Sequence, residues 1–322
     1  MPTVRYQDTT VSLGEGETVL DGLLRAGIDA AHSCRSGCCH SCMLRSSSGV
    51  PPPVSQETLK DSLRAKGYFL ACIAHPDEDL VVASPADDDV SVKARIVEIT
   101  ILDGGVARVL IQPQGSFDYK PGQFVNLVRG DGLIRSYSTA SLPRRDEHIE
   151  LHVRRIPGGR MSNWLYDGSA RGEAVELRGP AGDCFYLGNS DEDLLLIGTG
   201  TGLAPLWGIV HDAIDRGHRG RLILYHGGRT EEGLYMVQEL RELAARHPAL
   251  SYRPCVLEGS ASEGIEVGAI DRIVLDRHKD LGNWRIYLCG DPGLVFALRK
   301  KLFIQGASLK RIHADAFVLA SQ

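Results

Sequence analysis

The sequence predicts three domains of different class in series: a small α+β domain, an antiparallel β-barrel, and an α/β domain with a parallel sheet. Three observations carry that prediction. Four cysteines crowd into nine positions at CRSGCCHSC (34–42), short alternating apolar segments recur through the middle of the chain, and fully apolar strand-sized runs alternate with helical stretches towards its end. The 322 residues suffice for two or three domains of ordinary size.

In the first domain, expected over 1–90, VRYQDTTVSLG alternates like a β-hairpin, and GETVLDGLLRAG has the spacing of a short amphipathic helix closed by Gly27. The domain ends in SPADDDVSV, whose acidic residues and proline give it the composition of a linker. The second domain, 91–189, holds ARIVEITIL, ARVLIQP, FVNLVRG, IELHVRRI and AVELRG, separated at regular spacing by turn residues, as in an antiparallel barrel. The third, 190–322, alternates LLLIG, RLILYHG, YRPCVL and RIYLCG with helical stretches such as PLWGIVHDAIDRG and MVQELRELAARH. That is the pattern of a parallel sheet with crossover helices. No internal repeat or low-complexity tract interrupts the three.

Composition excludes several classes of function. Hydrophobic residues make up 43% and charged residues 24%, as in ordinary globular proteins. MPTVRYQDTT has no basic segment followed by an apolar one, so no signal peptide is expected. The longest apolar runs are too short to cross a membrane. A cytoplasmic location without membrane attachment is the expectation, and there clustered cysteines bind metal or do redox work more often than they pair. The net charge of −5 is uneven: residues 1–90 carry 7 Lys/Arg against 13 Asp/Glu, the remainder 29 against 28. An acidic front domain would repel nucleic acid; it suits a partner with a basic face, or simply a solvated surface.

The cysteine loop offers two registers, C-x3-C-x3-C through Cys38 or C-x4-C-x2-C through Cys39. The second continues to Cys72, with twenty-nine residues intervening after Cys42. C-x4-C-x2-C with a distant fourth cysteine is the plant-type [2Fe–2S] spacing. Four thiolates must converge on two irons from a loop tight enough for backbone N–H groups to face the sulfurs, and Gly37, Ser36 and Ser41 allow that approach. The ligands are therefore expected to be Cys34, Cys39, Cys42 and Cys72, with Cys38 the spare. A structural zinc site would more often use two C-x2-C-like pairs. His40 is an alternative ligand by type, while His32 and His75 suit surface or packing roles.

In LLLIGTGTGLAPLWGIV an apolar strand turns through Gly198, Gly200 and Gly202 into a helix, an arrangement that brings backbone N–H groups to a pyrophosphate. The spacing departs from G-x-G-x-x-G, and glycines that merely permit tight strand–helix packing are the competing explanation. YHGGR (225–229) and YLCGDPG (287–293) place small residues at the carboxyl edge of the same sheet. In the middle domain, PGQF (121–124), RSYS (135–138) and RRIPGGRMSNWL (154–165) combine an Arg, an aromatic and a hydroxyl on an extended strand with a glycine turn into a helix. That combination suits a phosphate and a planar ring held together.

In this order and spacing, CRSGCCHSC, PGQF, RSYS, RRIPGGRMS, GTGTGLAP, YLCGDPG and IHADAF resemble the ferredoxin–NADP reductase superfamily with an N-terminal plant-type ferredoxin domain. More narrowly, they resemble the reductase components of multicomponent bacterial oxygenases, of the naphthalene dioxygenase reductase kind. The resemblance covers essentially the whole chain and implies a ferredoxin-like β-grasp domain, an FAD-binding barrel and an NAD-binding α/β domain. It implies that Arg135 binds a flavin phosphate, Tyr137 lies against the isoalloxazine and Ser138 sits near the reactive N5. His152, Val153 and Arg154 would line the flavin, and Gly159, Met161 and Ser162 would grip its pyrophosphate. Gly200, Thr201 and Gly202 would face the nicotinamide nucleotide, Cys289 would stand near the hydride path, and Phe317 would cover the flavin ring with Asp315 beside it.

Two departures accompany the resemblance. His40 stands where many relatives carry a small residue. Where the plant NADP reductases have a Ser-Arg pair, this chain has Leu257 and Glu258; a carboxylate there would repel a 2′-phosphate, so NADH is favoured although Arg229 could serve a phosphate. The implied activity passes electrons from NADH through FAD and [2Fe–2S] to a ferredoxin or terminal oxygenase component. Alternatives are a reductase for a sugar-deoxygenating enzyme and a non-enzymatic redox carrier or sensor. No side-chain general base is expected.

Overall fold

The structure is a computed structural model that describes residues 1–86, 91–260 and 262–319. Most of the acidic stretch on which the linker reading rests, 87–90, lies outside the described residues; Ser91 and Val92, at its end, already begin a strand.

The first sheet contains β1 (Thr3–Tyr6), β2 (Thr9–Ser12), β3 (Met43–Ser48), β4 (Tyr68–Leu70) and β5 (Leu80–Ala83), with helices α1 (Val19–Arg25) and α2 (Asp61–Ala65). Its order is β2-β1-β5-β3-β4, with β1 and β5 parallel and the other pairs antiparallel. Thr18 caps α1 by accepting the Asp21 N–H at 3.1 Å, and Gly27, at φ +79°, follows its end. The helix buries Val19, Leu20 and Leu23 in a core shared with Phe69 and Leu70, which fixes Cys72 just beyond β4.

The second sheet is a six-stranded antiparallel barrel. It comprises β6 (Ser91–Leu102), β7 (Val106–Pro113), β8 (Phe124–Val128), β9 (Ile134–Ser138), β10 (Ile149–Arg154) and β11 (Ala174–Ala181), with α3 (Arg160–Tyr166) between the last two. The order is β10-β7-β6-β11-β8-β9, and a bridge between Thr139 and Leu151 closes it. Alternation works as period-2 patterning requires: Val125 and Leu127 of β8 enter the barrel core with Val109, Ile111, Leu151 and Leu177.

The third sheet is wholly parallel. Its strands are β12 (Leu194–Thr199), β13 (Leu222–Gly228), β14 (Leu250–Val256), β15 (Glu266–Val267), β16 (Arg285–Gly290) and β17 (Ile312–Ala316). Helices α4 (Leu203–Asp215), α5 (Val237–Arg246), α6 (Ile270–Arg277) and α7 (Pro292–Ile304) make the crossovers. The order β15-β14-β13-β12-β16-β17 reverses direction between β12 and β16. The carboxyl ends of these two strands therefore form the crevice where open α/β sheets bind ligands. Their ends are in intimate contact: a Cβ on Gly202 would lie 2.3 Å from the Cys289 carbonyl oxygen, and one on Gly290 would lie 2.5 Å from that of Thr199. Among the described residues no helix is long and apolar enough to cross a membrane.

Candidate functional site: a cysteine cage and a three-domain cavity

The cysteine loop curls because Arg35, Gly37 and His40 all take left-handed backbone angles, with φ of +52°, +74° and +59°. A side chain on Gly37 would strike Ile73 at 2.6 Å, so the loop lies directly over the segment carrying Cys72. The thiols come as two pairs. The Cys34 sulfur accepts N–H bonds from Ser36 at 3.4 Å and Cys39 at 3.3 Å, while the Cys34 N–H donates to the Cys39 sulfur at 3.4 Å. The bond from the Cys39 thiol, helped by those N–H groups, brings the Cys34 thiol down to about 4, and Cys39 moves up in return. Cys42 and Cys72 form the second pair: the Cys42 thiol is pushed up, and Cys72 is lowered by its bond to Cys42 and by the Gly37 N–H.

Among the described residues no three His, Cys, Asp or Glu side chains are grouped to hold one metal ion. Two thiol pairs, each with one sulfur that accepts hydrogen bonds from its partner thiol and from backbone N–H groups, fit the two irons of a [2Fe–2S] cluster. Cys39, Cys42 and Cys72 are buried, whereas Cys38 is exposed and its sulfur lies 3.5 Å from the Ser36 carbonyl oxygen. His40 is held between domains, its Nε2 2.9 Å from Thr58 Oγ1 and its ring edge-on to Phe124 of β8.

Beside the loop lies a cavity of about 1520 Å³ lined by all three domains. It exceeds the roughly 300–1,000 Å³ of a drug-sized ligand site and has room for large cofactors. Of the residues singled out in the sequence, Arg135, Tyr137, Ser138, His152, Arg154, Gly159, Met161, Ser162, Thr201, Asp315 and Phe317 line it, as do Cys34 and Cys39. β9 supplies the first three, and opposite them Asp315 lies in β17 and Phe317 just beyond its end. Ser138 Oγ donates to Asp315 Oδ2 at 2.6 Å, joining barrel to nucleotide domain. Burial in the cleft pushes the Asp315 carboxyl up to about 6. His152 bonds to Tyr235 at 3.0 Å and to Glu150 at 2.8 Å. Arg154 donates to the Gly233 carbonyl at 3.1 Å, while its Nε is buried without a partner among the described residues, close to Gly200. A buried guanidinium N–H facing a glycine turn fits an anionic nucleotide or flavin phosphate.

Several of the residues are also held by other contacts. Val153 is packed in the barrel core. The Ser162 hydroxyl accepts the Ile156 N–H at 3.1 Å, so it braces the glycine turn. Gly202 serves close packing against β16. Cys289 is buried behind the cavity wall, its sulfur 3.4 Å from that of Cys184, which lines the cavity. Arg229 lies outside the cavity lining and pairs with Glu258 at 3.2 Å, both exposed. Sequence reading also passed over Asn126, whose signal was visible: a polar residue inside the apolar run FVNLV of β8, buried at 4% exposure beside the cysteine loop.

Comparison with known proteins agrees with this layout. Residues 3–77 match the 2Fe-2S iron-sulfur cluster binding domain, 102–186 the oxidoreductase FAD-binding domain, and 196–300 the oxidoreductase NAD-binding domain. The chain is 32% identical over 323 residues to the reductase component of the naphthalene 1,2-dioxygenase system of Pseudomonas putida, covering 98% of this chain and 97% of that one. It is 37% identical over 321 residues to the reductase subunit of an aromatic O-demethylase from Amycolatopsis, covering 95% of each. Among solved structures, a ferredoxin reductase of carbazole 1,9a-dioxygenase superposes with a TM-score of 0.67 at 25% identity, covering 98% of both chains.

Two outcomes are expected of this site. Cys38→Ser should retain the iron, acid-labile sulfide and visible spectrum of the purified protein, and Cys39→Ser should lose them; the reverse result would assign the loop to the other register. For Asp315, the folded-state value of about 6 lies above the ordinary carboxyl value near about 3.9. Its stabilising share is therefore complete below about pH 3.9 and lost as pH rises through about 6. Denaturant melts across that range should show the wild type losing stability relative to Asp315→Asn.

Proposed function

The chain belongs to the [2Fe–2S] flavoprotein reductase family within the ferredoxin–NADP reductase superfamily, and we propose that it is the NADH-dependent reductase of a multicomponent oxygenase. In this role it passes electrons to a ferredoxin or directly to a terminal oxygenase acting on an aromatic compound. The observation that carries the reading is the shared cavity: the cysteine cage, the RSYS strand and the end of the parallel sheet open onto one space. When bound, FAD supplies the conversion the pathway needs, taking an electron pair as hydride from a nicotinamide and releasing electrons singly to an iron–sulfur centre.

The chain's own residues bind, orient and shield. Cys34 and Cys39 would hold one iron and Cys42 and Cys72 the other. Arg135 and Arg154 offer cationic edges for phosphates, and Tyr137 and Phe317 offer flat apolar walls that exclude water from the reacting rings. Ser138 donates its hydroxyl hydrogen to Asp315 across the domain boundary, which fixes the hydroxyl on the cavity side of β9. Thr201, at the turn into α4, faces the cavity where a nicotinamide would enter. Among the relatives, the aromatic O-demethylase subunit supports an aromatic pathway; no feature of the site favours a sugar-deoxygenating enzyme.

Glu258 supports NADH as the donor. Its backbone N–H bonds to the Arg229 carbonyl at 2.9 Å while its carboxylate pairs with the Arg229 side chain, so that cation is already partnered. A 2′-phosphate would have to displace that carboxylate.

Anaerobic titration with NADH should bleach the flavin and raise the electron paramagnetic resonance signal of a reduced [2Fe–2S] centre; no bleaching would overturn the reading. Glu258→Ser should lower the NADH-over-NADPH ratio of kcat/KM by about tenfold, the equivalent of one lost charge repulsion near about 1.4 kcal/mol. An unchanged ratio would remove Glu258 from coenzyme choice.

A further inference from the structure

Asn126 stands at the middle of β8, opposite Ser136 of β9 in the ladder. Val125 and Leu127 on either side enter the barrel core, so alternation sends Asn126 to the outer face, where a polar residue would ordinarily be solvated. It is instead buried under the cysteine loop, and its amide bonds both to that loop and to its own barrel. Nδ2 donates to the carbonyl oxygen of Cys39 at 2.9 Å. Oδ1 accepts from the Ser136 hydroxyl at 2.6 Å, and the Ser41 hydroxyl approaches the same atom at 3.5 Å. One side chain thus ties the peptide of a cluster ligand to the strand carrying Arg135, Tyr137 and Ser138.

We propose that Asn126 is the positioning residue that locks the cluster loop onto the flavin strand and so sets the electron-transfer geometry between the two redox centres. The proposal rests on the reductase reading above. It has a chemical basis in the pattern of the bonds. The loop around Cys39 holds two non-glycine residues, Arg35 and His40, in the left-handed region, conformations that persist only where the surroundings over-determine them. The Cys39 carbonyl is buried next to those residues, and a buried carbonyl needs a donor. The nearest one is the amide of another domain. Carboxamide is the group that can donate to the loop and accept from the strand at once; an aspartate or leucine of similar size cannot do both. No bond is made or broken in this role: the amide fixes where the electron's donor and acceptor stand.

The first test is rapid mixing of the holoprotein with NADH, following flavin absorbance and, in freeze-quenched samples, the signal of the reduced cluster. In Asn126→Leu and Asn126→Asp, flavin bleaching should keep its rate within about twofold while appearance of the cluster signal slows by about tenfold or more, as small misplacements do. Ser136→Ala keeps the amide and removes its partner on β9, so it should slow the same step by a smaller factor. Equal slowing of both steps, or of neither, overturns the proposal. The second test is amide hydrogen exchange of the same proteins without NADH. Peptides spanning 34–42 should exchange faster in Asn126→Leu than in the wild type, with the barrel peptides unchanged; unchanged protection of the loop overturns the lock. A wild-type protein whose flavin bleaches without any cluster signal would instead defeat the reductase reading, and loop exchange would still decide whether Asn126 holds the loop.

Discussion

Because β12 lies between β13 and β16, successive connections leave the parallel sheet in opposite directions, and a crevice opens where they part. The crevice exists only if β12 and β16 end flush against each other, and glycine makes that possible on both sides. Gly202 packs against the Cys289 carbonyl and Gly290 against Thr199, contacts too close for any side chain. The Asp291 N–H then donates to Thr199 Oγ1 at 3.1 Å, sealing the two turns together. From that seam everything else takes its place: Thr201 faces the cavity, Asp315 follows Cys289 across the β16–β17 ladder, and Ser138 reaches Asp315 from the barrel.

The cysteine loop obeys a different constraint. Four sulfurs share a small volume and bind metal as thiolates, so each needs hydrogen-bond donors around it. In each pair one thiol gives its hydrogen bond to the other, and backbone N–H groups concentrate on the acceptors, Cys34 and Cys72. The left-handed residues of the loop are what turn those N–H groups inward.

Local chemistry was legible in the sequence, and long-range contact was not. C-x4-C-x2-C declares its own geometry because its three cysteines sit on one turn, and the structure leaves Cys38 outside the pairs for the same local reason. The strands and the first helix followed from period and from Gly27, signals contained within a few residues. GTGTG was ambiguous, and both explanations have a share in it: Thr201 faces the cavity, while Gly202 answers to packing against a strand more than eighty residues away. Cys184 gave no signal, since its neighbour Cys289 belongs to another domain. Asn126 gave a signal, a polar residue in an apolar strand, but its partner lies 87 positions earlier.

The barrel is therefore the part of the molecule to which both other domains are bonded. Its outer face meets the cysteine loop through Asn126 and through the His40–Phe124 contact, and its other edge meets the nucleotide domain through Ser138, His152 and Arg154. Hydrogen bonds of this kind contribute only about 1 kcal/mol each, but a buried group deprived of its partner costs about 1–3 kcal/mol. Polar seams therefore specify relative position more sharply than they add stability. An apolar interface of the same extent would let the domains slide by a fraction of an ångström at little cost. Directional bonds at Cys39 and at Asp315 do not allow that, and a protein whose task depends on the separation of its redox centres has reason to use them.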